Sequence, residues 1–268
     1  MTSPAQPSAP VFYVLAQVSF NPIVKIADFV PAVQDVLRRE GWPEYSQQTT
    51  KELQVSPGAS GPPEVRSSDR HRWAFNAVDE KQGFVLTENS LVFHSTAYPG
   101  FESFLQAMLR GLAVVHVAVE LQYVARIGLR YVNAIDPETV GGVPLEALVQ
   151  AGLLGLSGPY GHGLKHSFSE TVSEHAGGTL ISRNLITPEG VVWPPDLQPP
   201  LLALDERFQP GRRHVAILDN DFFLQFHKPH LAFSDSAIEE QLRRCHDMTS
   251  QTFHTATTER ARSLWGLT

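Results

Sequence analysis

An α+β fold, with mostly antiparallel strands and two long helices packed on one face, is what three features of this sequence predict. Short segments rich in β-branched and aromatic residues alternate apolar and polar positions and are separated by turn residues. A helical apolar period is sustained at length only after Gly100 and again after Ser234. The turns between strands are mostly short, which suits antiparallel neighbours.

In chain order, Met1 to Pro10 is rich in Pro, Ser and Ala and is expected to be a flexible tail, with a single α+β domain over 11–268. Val11 to Phe20 reads as a strand ended by Asn21-Pro22. Asp28 is expected to cap a helix that tolerates Pro31 in its first turn, presents Val33, Val36 and Leu37, and stops at Gly41. Lys51 to Ser56 reads as a short strand. Pro57 to Asp69 carries Pro, Gly and Ser at turn density and is expected to be an exposed loop. Trp73 to Val78, Phe84 to Thr87 and Leu91 to Thr96 form a meander. Phe101, Phe104, Leu105, Met108, Leu112, Val115 and Val119 recur at three- and four-residue intervals and predict the first long helix, feeding a strand from Val124 to Ile135.

Beyond Asp136-Pro137, Pro144 is expected to open a short helix over Leu145 to Gln150, and the Gly-rich Gly152 to Gly163 reads as loop. Lys165 to His175 and Gly178 to Thr187 suggest a hairpin about Gly177-Gly178. Pro194 to Pro210 is a Pro-rich connection with a candidate strand at Leu201 to Leu204, and His214 to Phe226 is a further strand. Ser234 caps the second long helix, along which Ile238, Leu242, Cys245 or His246, and Thr249 form the inner stripe, and Leu264-Trp265 is a terminal apolar plug. Each half ends with strands feeding a long helix. That order admits two pseudo-similar halves, 11–136 and 137–268, although no residue-level repeat supports a duplication.

Composition narrows the function classes. The hydrophobic fraction of 42% and charged fraction of 18% are those of a globular protein with a real core. A formal net charge of -7 disfavours nucleic acid as the main partner, so such a role requires a concentrated basic groove. The lone Cys245 excludes an intramolecular disulfide or a multi-thiolate zinc site and fits a reducing compartment, with the cytoplasm as the expected one. No basic leader and no run of about 18 apolar residues is present, so neither a membrane span nor an export signal is expected.

The sharpest site-like stretch is V-A-R-I-G-L-R-Y-V-N-A-I, Val124 to Ile135. Strand alternation puts Ile127, Leu129, Tyr131 and Asn133 on one face and Arg126, Gly128, Arg130 and Val132 on the other. Two guanidinium groups about 13 Å apart flank a glycine, where bare backbone leaves room for an anion. The ordinary alternative is that both arginines pair with carboxylates on neighbouring strands. His94, with Val92 and Thr96 on its face, is a candidate ligand-binding or proton-transfer residue, against a purely hydrogen-bonded role. His116 lies beside the core stripe of its helix. His162 and His166 have ligand spacing only if helical, so zinc is not expected there. Asp219 and Asp221 share a strand face and could hold a divalent cation only with a third ligand that is not identifiable, and no cofactor is expected. Ser167 and Ser169 lie near His166 without any nucleophile elbow, which rules out serine-hydrolase chemistry.

The runs A-Q-V-S-F-N-P (Ala16 to Pro22), L-V-F-H-S-T-A-Y (Leu91 to Tyr98), R-I-G-L-R-Y-V-N (Arg126 to Asn133) and the ending T-E-R-A-R-S-L-W-G resemble a sporadically distributed bacterial protein family to which no activity is assigned. The resemblance spans nearly the whole chain. Its scattered occurrence implies a setting in defence or mobile-element systems. With no dense catalytic motif, the leading expectation is a non-catalytic module binding a protein partner or an anionic ligand. The alternatives are an enzyme acting on a phosphate-containing or RNA substrate through Arg126, Arg130 and His94, and an RNA-binding subunit of a ribonucleoprotein. Convergence of these three side chains on one accessible pocket favours the enzyme. Saturation of both arginines by internal carboxylates defeats the anion site.

Overall fold

The structure, a computed structural model, describes residues 9–56, 64–159, 161–197, 202–208 and 211–267, with side chains described at all of these except 52–56, 64–68 and 162. In chain order the elements are β1 (Val11–Phe20), α1 (Ile26–Arg39), β2 (Glu44–Ser56), β3 (Glu64–Asn76), β4 (Gln82–Leu86), β5 (Ser90–Ser95), α2 (Phe101–Val119) and β6 (Tyr123–Ile135). Then come α3 (Ala151–Leu154), β7 (Ser167–His175), β8 (Gly178–Thr187), β9 (Val215–Gln225), β10 (Leu231–Ala232), α4 (Asp235–Ala256) and α5 (Glu259–Leu264). The class is α+β. The strands form one antiparallel sheet in the order β2-β3-β4-β5-β1-β6-β9-β8-β7, with the short β10 extending the β9 side of β6.

Strand alternation divides the sheet into two dissimilar faces. On one, Val14, Ala16, Val18 and Phe20 of β1 and Ile127 and Leu129 of β6 join a core with buried residues of three helices: Val33 and Leu37 of α1, Phe104 and Met108 of α2, Ile238 and Leu242 of α4. By length and mean hydropathy α2 resembles a membrane span, yet it buries Phe104, Leu105, Met108, Leu112 and Val115 in this core. Burying one Leu- or Phe-sized side chain contributes roughly 1.5–3 kcal/mol, so this layer anchors β1 and β6. A bulge between Val11 and Tyr13 turns Phe12 and Tyr13 together toward the opposite face, where they pack with Trp193 and Phe208 from the segment after β8.

Several elements differ from the sequence reading. The first helix starts at Ile26, so Asp28 sits in its first turn instead of capping it, Pro31 lies inside, and Val36 stays at the surface while Ile26, Val30, Val33 and Leu37 turn inward. The strand read as Lys51 to Ser56 is the end of the much longer β2. Of the expected loop Pro57 to Asp69, residues 57–63 lie outside the described residues and Glu64 to Asp69 belong to β3, paired in register from Ser56↔Glu64 onward. Leu145–Ala147 is only a 3-10 turn, and α3 and a second such turn occupy the expected loop after it. In the β7–β8 hairpin the positive-φ positions are Ala176 and Gly177, with Gly178 already in the strand. No strand forms over Leu202 to Leu204, and position 201 lies outside the described residues.

Candidate functional site

The face of the sheet opposite the three helices carries the charged residues. Arg126, Gly128 and Arg130 of β6, His94 of β5 and Asp221 of β9 all line one groove of about 550 Å3, together with Arg72 of β3. Sequence alternation therefore placed Arg126, Gly128 and Arg130 on the correct side. The groove splits into two unlike ends.

At one end Arg130 is saturated. Its Nε and Nη2 donate to the two oxygens of buried Asp219 at 2.7 and 2.6 Å, and Nη1 and Nη2 donate to Asp196 at 3.1 and 2.8 Å. Arg183 of β8 bridges the same carboxylates, 3.2 Å from Asp219 and 3.3 Å from Asp196, and donates to Glu170 at 2.6 Å. Burial alone pulls the Arg130 guanidinium down, but the two carboxylates more than offset that and hold it above its usual range. Arg130 is thus the internal cross-strand pair that was the alternative to an anion site. For the same reason Asp219 is no cation ligand, because both its oxygens are taken by guanidinium donors. Among the described residues no group of three or more metal-ligating side chains forms.

At the other end Arg126 meets no carboxylate of the described residues within ion-pair distance. Its Nη1 donates to Gln17 Oε1 at 2.6 Å, and the guanidinium lies over the Phe223 ring at 4.2 Å from the centroid. A methyl group added at Gly128 would sit 3.2 Å from Arg126 Nη1 and 3.2 Å from Phe223 Cβ. The bare backbone expected at Gly128 is therefore filled by the Arg126 side chain itself, folded back along its own strand. Gly128 is thus a berth for the arginine as well as part of the groove wall. Burial pulls this guanidinium below its ordinary value, with Asp221 opposing. A guanidinium has five N–H donors, and Arg126 leaves most of its own without an acceptor among the described residues.

Two further groups line the same groove. Asp221 stands directly across from Arg130 in the register yet makes no hydrogen bond with the described residues, and burial raises its carboxyl above the usual range. His94 is buried, with Nδ1 3.0 Å from Tyr13 Oη and no partner for Nε2 among the described residues. Burial, reinforced by Arg72, pulls its imidazole down to about 4, so it is neutral at pH 7. His94 is thus a hydrogen-bonded residue as well as a groove-lining one. Arg72 is exposed and forms no ion pair with the described residues.

The remaining candidates lie elsewhere. His116 stacks on Phe233 at 4.3 Å, His166 is exposed, and the His162 side chain lies outside the described ones. Gln17, Arg72, Asp196, Arg183 and Phe223 were not singled out in the sequence. Gln17 alone had a readable signal, as a polar position in the alternation of V-L-A-Q-V-S-F. Fold and groove together define a single-sheet α+β protein with a charged sheet face. Neither the family models nor the curated proteins compared with this chain match it.

Proposed function

We propose that this protein is a non-catalytic binding module whose charged sheet face takes an anionic ligand against Arg126. One observation carries the reading: a half-buried guanidinium, positioned by Gln17 and Phe223, keeps unused donors toward a groove of about 550 Å3. Arg72 adds a second cation at the rim. Asp221 and His94 Nε2 supply polar atoms without partners among the described residues, which suits a ligand that carries hydroxyl groups beside its anion. The resemblance to a sporadic bacterial family favours a cytoplasmic defence or mobile-element setting, with a protein as a further partner.

A second reading, an enzyme acting on a phosphate-containing substrate, draws support from the convergence of Arg126, Arg130 and His94 on one groove. It ranks lower because Arg130 is neutralised, His94 titrates far below neutrality and the groove offers no activated nucleophile. An RNA-binding role ranks lower again, since Asp196 and Asp221 interrupt the arginines.

Isothermal titration with inorganic phosphate, glycerol 3-phosphate and a short single-stranded RNA separates these readings. Glycerol 3-phosphate is expected to bind more tightly than phosphate, and Arg126→Leu to weaken it about tenfold or more, since hydrogen bonds to a charged group contribute about 1.5–3 kcal/mol. Unchanged affinity in the Arg126→Leu protein overturns the assignment. Turnover of a phosphate ester that is lost on His94→Gln would instead establish the enzyme.

A further inference from the structure

The helix-covered side of β6 holds a second cavity, of about 220 Å3, whose chemistry is the reverse of the groove's. Tyr131 and Asn133 reach it from the strand, Tyr98 from just before α2, and His246, Ser250 and Phe253 from α4. Among the described residues not one Asp, Glu, Lys or Arg lines it, and burial pulls His246 toward its neutral form. A cavity of about 150 Å3 with apolar walls holds benzene, so this one has room for a single ring with a substituent.

The polar groups inside are arranged in a row. Tyr98 Oη lies 3.0 Å from Tyr131 Oη, which lies 3.1 Å from His246 Nδ1. Two phenols and a neutral imidazole own three mobile protons but share only two internal hydrogen bonds. Polarised head to tail, the row presents a donor at one end and an acceptor at the other: an N–H at His246 Nε2 with the Tyr98 oxygen as acceptor, or a Tyr98 O–H with Nε2 as acceptor; if both neighbours donate to Tyr131, its own O–H is the spare donor and both ends accept. Such a row matches a hydroxyl group, which both gives and takes a hydrogen bond. The imidazole is held flat against Phe101, with ring centroids 3.8 Å apart and planes at 6°, which fixes the end of the row. Asn133 is 95% buried; its Nδ2 donates to Leu218 O at 3.4 Å, and its Oδ1 accepts nothing from the described residues.

We propose that this cavity is a binding site for a small, uncharged, ring-bearing molecule with one hydroxyl group, of the size of phenol. The anion groove lies on the other face, so this proposal stands or falls independently of it.

The test uses the full chain, with phenol, toluene and benzoate as probes followed by protein-detected NMR and calorimetry. Phenol is expected to bind about tenfold more tightly than toluene, which matches it in shape but lacks the hydroxyl, and benzoate to bind more weakly than both. His246→Phe preserves the stack on Phe101 and removes the end of the row. It should abolish the preference for phenol while leaving toluene binding intact. Ser250→Phe, on the half-exposed flank of α4, should fill the cavity and abolish binding of both neutral probes. The order of the three probes on the unmodified protein needs no variant to fold. Benzoate binding as well as phenol, no perturbation by phenol or toluene, or a phenol preference that survives His246→Phe overturns the proposal.

Discussion

Arg126 and Arg130 occupy the same face of the same strand, two alternations apart, and differ in nearly everything that matters for function. Arg130 is buried among Asp219, Asp196 and Arg183, and four of its five N–H donors are used by two carboxylates. Arg126 is held by one amide and one ring, and it remains open to the groove. The difference arises on the neighbouring strand. β9 places Asp219 within reach of Arg130 but sets Phe223 beside Arg126, and an aromatic face positions a cation without neutralising it. An ion-paired arginine and one with unused donors are distinguished by their cross-strand neighbours, not by their own sequence context.

The strongest way to break this comparison is Asp219→Ala, which strips the locked end of its main acceptor. Leaving buried Arg130 and Arg183 short of a carboxylate should lower stability by about 3 kcal/mol, read as a shift in the urea midpoint, whereas Arg126→Leu should shift it far less. Equal losses at the two arginines would erase the distinction. Next in size is a pH effect elsewhere in the groove. His94 has a folded value of about 4 against an ordinary 6.5, so between these values the unfolded chain binds more protons. The stabilisation from neutral, buried His94 is complete above pH 6.5 and is lost as pH falls toward 4, on the order of 3 kcal/mol in all. Denaturation at pH 7 and pH 4.5 should show that loss in the native protein and a smaller one in His94→Gln.

Gly128→Ala is a subtler break, because it removes the berth without touching the charge. The added methyl group meets Arg126 and Phe223 at 3.2 Å, and the expected cost is about 1 kcal/mol of stability together with weaker phosphate binding. Preserved binding would mean that the folded-back Arg126 is not the form that meets the ligand. The smallest change sharpens the comparison from the acidic side. Asp221→Asn should raise stability at neutral pH, since burial disfavours the charged carboxylate there, and it should leave phosphate binding intact or stronger.

Much of this was legible in the sequence wherever an element buries one face. The alternation of Val14, Ala16, Val18 and Phe20, and the three-four spacing from Phe101 to Val119, record the core they enter. The β2–β3 hairpin was not legible. Its described positions from Thr49 to Lys51 and from Asp69 to Arg72 are exposed, so nothing imposed a period on them, and only Lys51 to Ser56 read as strand while Asp69 fell in the expected loop. The site was half legible. Alternation assigns Arg126, Gly128 and Arg130 to a face, but which carboxylate answers which arginine depends on β6 lying between β1 and β9, and no local pattern encodes that order. Gly128 was misread because sequence shows the gap and not the neighbouring side chain that folds into it.

The central place of β6 also has a consequence for how the chain is made. Its two sheet partners come from opposite ends of the sequence, residues 11–20 before it and 215–225 after it. On a ribosome, β1 waits with one edge unpaired until β6 has emerged, and β6 then stays an open edge while the next eighty or so residues are synthesised. Such long-range pairings slow folding and expose sticky edges. A nascent chain stalled before β9 is therefore the state in which this protein most needs protection from its neighbours.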